Sequence, residues 1–81
     1  MTTTNTKKKG INDLQYESLM AHDIRFDPND SAPNYVGLNP QYNADGSEVN
    51  WVVYKFTYDG TDVTRIQKIR GSWDDRVSLF S

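Results

Sequence analysis

The chain has 81 residues, a net charge of −2, no cysteine and a single histidine, His22. That is the length of one small domain, which hides only about 60–65% of its unfolded surface. The composition excludes a disulfide framework, a cysteine zinc site and a multi-histidine metal site, so extra stability is expected from oligomerisation or docking.

Residues 1–10 (MTTTNTKKKG) hold three lysines, no acid and no apolar residue after Met1, so they read as a solvated arm with no secretory signal. Residues 11–26 predict a short helix: Leu14, Gln15, Glu17, Leu19, Met20 and Ala21 are good helix formers, and Asn12 or Asp13 can cap it. Ile24 and Phe26 then alternate with Asp23, Arg25 and Asp27, as in a brief extended segment. Residues 27–34 (DPNDSAPN) form a loop, because Pro28 and Pro33 disfavour helix in the residues before them. This loop divides the chain into an arm with a short helix, 1–34, and a small antiparallel β domain, 35–81.

Residues 35–38 (YVGL) predict a short strand, and residues 41–48 a loop with Asp45-Gly46 at its turn. Residues 49–58 (VNWVVYKFTY) are the strongest strand signal in the chain. Val49, Trp51, Val53, Lys55 and Thr57 share one face, and Val52, Tyr54, Phe56 and Tyr58 share the other. Both faces are largely apolar, which predicts burial on both sides and a partner surface over one of them. Asp59-Gly60 signals a hairpin into the more polar run 63–70, whose Arg65, Lys68 and Arg70 guard an edge. Trp73-Asp74-Asp75-Arg76 reads as a turn and residues 77–80 (VSLF) as a last short strand. The fold class expected is mainly β: a small antiparallel sheet or partial barrel of three to five strands, with an N-terminal arm and short helix.

No constellation of enzyme chemistry assembles from these residues. Asp74 and Asp75 are neighbours, and neighbouring side chains on an extended chain point apart; the expected roles are backbone bonds in a turn, with Arg76 pairing a carboxylate. The stretches around Asp27 and Asp30, and Asp45 to Glu48, lack the ligand pattern of a calcium loop. His22 has no partner set for a triad, and the scattered glycines form no phosphate loop. No catalytic, cofactor or metal residue is therefore expected. Aromatics beside bases (Tyr54, Phe56 and Tyr58 with Lys55, Arg65, Lys68 and Arg70) suit single-stranded nucleic acid as well as a protein interface, but the net negative charge favours packing or a protein partner.

Three stretches carry a resemblance: Tyr35-Val36-Gly37-Leu38, Trp51 followed by Lys55, and the terminal Trp73-Asp74-Asp75-Arg76-Val77-Ser78-Leu79. Together they resemble a family of small proteins from bacteriophage virion and tail gene clusters that end in W-D-[DN]-R-x-S-L. The likeness covers residues 35–81, and Asn39–Glu48 departs from the small-residue stretch usual there. It implies a virion component rather than an enzyme: capsid decoration or cement, a head–tail joint, or a tail-fibre attachment. The expected partners are capsid or tail proteins and further copies of the chain, with no membrane, and the expected location is the virion, after the host cytoplasm. Trp51, Tyr54, Phe56 and Trp73 are the expected docking anchors, with Arg65, Lys68, Arg70 and Arg76 as a polar rim. The alternatives are a small nucleic-acid-binding regulator and a phage-encoded inhibitor of a host protein.

Overall fold

The computed structural model of the protein describes residues 20–81. Among these residues the fold is mainly β, an open antiparallel sheet of four strands with one short helix. The strands are β1 (Asp23–Asp27), β2 (Tyr35–Asn39), β3 (Trp51–Asp59) and β4 (Asp62–Gly71), followed by α1 (Arg76–Leu79). Their order in the sheet is β1-β2-β3-β4, so every strand pairs with its sequence neighbour. The helix expected within residues 11–26 lies, for residues 11–19, outside the described residues. The extended segment expected at Ile24 and Phe26 is β1, which pairs with β2 from Asp23 opposite Asn39 to Asp27 opposite Tyr35. The sheet thus reaches back across the loop at 27–34 into the segment assigned to the arm.

The β3–β4 hairpin turns at Gly60, whose φ of 65° suits a residue without a side chain. Its ladder runs from Trp51 opposite Gly71 to Asp59 opposite Asp62, with an irregularity at Thr57/Tyr58. The chain's end corrects the expectation of a last strand. Asp75 N–H donates to Ser72 Oγ, Ser72 Oγ–H donates to Asp75 Oδ2, and Leu79 N–H donates to Asp75 O, which winds residues 76–79 into one helical turn.

Register assigns each side chain to a face. One face carries Asp23, Arg25 and Asp27 of β1, Tyr35, Gly37 and Asn39 of β2, and Trp51 and Val53 of β3. The loop 40–50 and the segment 72–80 cover it, placing Ala44, Trp73, Leu79 and Phe80 against Trp51 and Val53. The opposite face carries Ile24 and Phe26, then Val36 and Leu38, then Val52, Tyr54 and Phe56, then Ile66, Lys68 and Arg70. Val36, Leu38, Val52 and Tyr54 are its buried centre, with Ala21, Phe56 and Ile66 packed at the margin.

Candidate functional site

The first face is held by a stack of two rings between two cations. The Arg25 guanidinium lies 4.9 Å from the Trp51 ring centre. Trp51 meets Trp73 with centroids 6.1 Å apart, tilted by 39°. Arg76 lies 4.5 Å from the Trp73 ring and reaches back to β1, where its Nε–H donates to Asp27 Oδ2 at 2.8 Å. Arg25 and Arg76 thus bracket the two indoles, a cation–π arrangement in which each contact is worth about 0.5–1 kcal/mol or more.

The loop 40–50 is fixed to this stack through its backbone. Ala44 N–H donates to Asp23 Oδ2 at 2.9 Å, and Arg25 donates to Ala44 O at 2.7 Å. Trp51 Nε1–H donates to Asp45 O at 2.9 Å, satisfying the polar atom of a fully buried ring. Asp74 N–H donates to Gly46 O, joining the loop to the terminal segment. Asn39, also fully buried, accepts from Gln41 N–H and donates to Asn50 Oδ1. The Asp45 carboxyl accepts from the Ser47 N–H and hydroxyl, and these bonds hold it below the usual carboxylate range.

Set against this geometry, the expected docking residues differ in how far they reach the surface. Trp51, Tyr54 and Trp73 are 0%, 1% and 6% exposed and lie inside the fold. For the two indoles the physical reason is that the loop 40–50, which signals only turns in sequence, folds over the sheet and covers their face from within; Tyr54 lies on the opposite face, packed with Val36, Leu38 and Val52. Phe56 is half-buried beside Ile66 at the margin of the other face. Arg76 is spent inside the chain, on Asp27 and Trp73, rather than standing on a rim. Arg65 and Arg70 are exposed on β4, and Lys68, also exposed, lies 6.0 Å from the Tyr54 ring.

The apolar groups that do stand at the surface are not among the expected docking residues. Ile24 is 40% exposed and Phe26 is 46%, side by side on the outer strand β1, and Val63 is open near the hairpin end of β4. Tyr42 and Val49 stand out from the covering loop. The alternation of Ile24 and Phe26 with charged residues was a usable signal, because it marks a strand with one apolar face. A shallow cavity of about 110 Å³ lies between Met20, Ala21, Leu38, Pro40, Val52 and Arg70. It is well below the roughly 300–1,000 Å³ of small-molecule sites. No helix among the described residues is long and apolar enough to cross a membrane.

No protein-family model, curated protein or solved structure matches the chain. The surface that can be described is therefore that of an open β-sheet module: a closed indole core, an apolar outer strand and a basic strand at the opposite edge.

Proposed function

We propose that the chain is a non-catalytic structural component of a bacteriophage virion that docks onto capsid or tail proteins. The observation that carries the docking role is the pair Ile24 and Phe26, two large apolar side chains left at 40% and 46% exposure on an edge strand. Exposed apolar side chains grouped on an edge favour contact with another protein, and an aromatic ring is the usual anchor of such contacts. The resemblance in Trp73-Asp74-Asp75-Arg76-Val77-Ser78-Leu79 supports the virion setting. In this protein those residues have an evident structural purpose: Trp73 and Arg76 close the indole stack, Asp75 starts the helical turn and Leu79 packs over Gly71. The motif thereby preserves the fold, and the docking surface lies elsewhere, on β1.

The test is incorporation of the double variant Ile24→Ser/Phe26→Ser into particles in place of the parent chain. The variant is expected to keep its tryptophan fluorescence and circular dichroism, since both side chains already face outward, and to be lost from purified particles. Incorporation at the parent's level would remove β1 as the docking strand.

A further inference from the structure

The face of the sheet opposite the indoles has a buried centre but, among the described residues, almost no second layer over it. Val36, Leu38, Val52 and Tyr54 form that centre, and each is at most 5% exposed. Strand side chains stand roughly perpendicular to their sheet, so their outer ends stay wet unless another layer packs on them. On the indole face the loop 40–50 and the segment 72–80 are that layer. Here, Phe56 and Ile66 belong to the same sheet as the four residues they flank. Among the described residues outside the sheet, Ala21 packs on the cluster, and Met20 and Pro40 line the shallow cavity beside Leu38 and Val52. One methyl group and a cavity rim are too small to shield a tyrosine, a leucine and two valines.

The chain before Met20 has the composition for this layer. Residues 1–10 hold no apolar side chain after Met1, whereas residues 11–19 (INDLQYESL) hold Ile11, Leu14, Tyr16 and Leu19. This stretch joins the sheet at the right place, because Met20 is helical and Ala21, the next residue, already lies on the cluster. These two residues set the phase of a helix arriving there. Met20 is exposed, at the outer rim of the cavity. Side chains recur on one side of a helix every three to four residues, so Ser18, Leu14 and Ile11 share the side of Ala21. The length also fits: residues 11–20 as a helix span about 15 Å, and four strands about 4.8 Å apart measure about 14 Å across. Charge agrees as well. The acids of the segment, Asp13 and Glu17, stand one turn apart, and the charged strand residues of this face are basic, Lys68 and Arg70.

We infer that residues 11–19 continue the helical turn at Met20 into an amphipathic helix that lies across this face of its own sheet. Leu14 and Ile11 pack on Val36, Leu38, Val52 and Tyr54, and Asp13 and Glu17 turn toward Lys68 and Arg70. The sheet is then the middle of three layers, and the stretch read from sequence as part of an arm completes the core. The cover leaves the outer strand open, where Ile24 and Phe26 remain exposed. This goes beyond the docking role proposed above, and its test needs only the purified full chain, so the two readings fail separately.

The experiment is nuclear Overhauser spectroscopy on the full chain, with a mixture of isotope-labelled and unlabelled copies to separate contacts within a molecule from contacts between molecules. The expected result is a set of cross-peaks from the Leu14 methyls to the Tyr54 ring and to the methyls of Leu38 and Val52, all within one molecule. Two variants add an independent reading. Leu14→Asp places a charge against the apolar cluster, so it should lower the urea midpoint and raise the binding of a hydrophobic dye to the uncovered face. Met20→Gln changes an outward residue and should leave both near the parent's values. Absence of the Leu14 cross-peaks overturns the inference. So do cross-peaks found only between copies, which would make a second molecule the cover, and a Leu14→Asp variant that behaves like Met20→Gln. The cross-peaks of the parent chain keep the test decisive if Leu14→Asp does not fold.

Discussion

Gly37→Ala is the substitution whose outcome depends most closely on the indole stack. Gly37 sits in the middle of β2, is buried, and has no left-handed φ, so its backbone would accept any residue. In a strand alanine is intrinsically better than glycine by about 0.5–1 kcal/mol, since glycine loses more freedom on folding. What forbids it is space: a Cβ here would fall 2.8 Å from Trp73 Cζ3, closer still to Cε3 of the same ring, and 3.1 Å from Trp51 Cε3. The Trp73 ring cannot retreat without disturbing Trp51 beneath it and Arg76 above. Overpacking of a dense core costs about 1–3 kcal/mol, and a ring held on both sides lies in the upper half of that range. Less the intrinsic gain, Gly37→Ala should destabilise the fold by about 1–2 kcal/mol, with Tm lower by about 4–8 °C for each kcal/mol in a domain of this size. Urea unfolding followed by tryptophan fluorescence reads it directly, since Trp51 and Trp73 are the only indoles and both line this contact. The same change in a Trp73→Phe background, which removes the outer ring atoms, should be neutral or stabilising, a coupling of about 1–3 kcal/mol. Equal cost in both backgrounds, or a stabilised single variant, would refute the reasoning.

Arg76→Lys keeps the charge but loses the planar stacking on Trp73, and should cost about 0.5–1 kcal/mol. The ion pair with Asp27 is partly exposed, so a double-mutant cycle of Arg76→Ala with Asp27→Ala should give a coupling of about 0.2–1 kcal/mol. Asn39→Leu fills a similar volume but strands the Gln41 N–H and the Asn50 amide, and should lower the urea unfolding free energy by about 1–3 kcal/mol. Asp45 is held below its ordinary value by Ser47, so its contribution is fully present above about pH 4–5 and fades as pH falls through the lowered value. Ser47→Ala should therefore flatten the acid limb of the stability–pH curve, measured by thermal melts between about pH 2 and 6.

The parts legible in the sequence are those where local chemistry and tertiary structure agree. Residues 49–58 are dense in β-formers, Asp59-Gly60 turns them, and Arg65, Lys68 and Arg70 mark an edge; the hairpin follows from these residues alone. Val77, Leu79 and Phe80 gave a false strand because one helical turn is too short to show its period. The signal that outweighs them is Ser72-x-x-Asp75: the Ser72 hydroxyl accepts from Asp75 N–H and donates to the Asp75 carboxylate, a turn that leads into the helix. The covering role of the loop 40–50 was illegible. It depends on Ala44 and Gly46 meeting Asp23, Arg25 and Asp74 across long sequence separations, and composition reports only its turns. With that cover unseen, Trp51 and Trp73 looked like surface in need of a partner, and the alternation of Ile24 and Phe26 gave only an extended segment, not an exposed apolar edge.

The measurement that bears most directly on the proposed role is quantitative mass spectrometry of intact, gradient-purified phage particles from infected cells. A virion component is predicted to co-migrate with the capsid and tail proteins at a fixed stoichiometry that survives repeated purification. A chain abundant in the infected lysate but missing from the particles would contradict it.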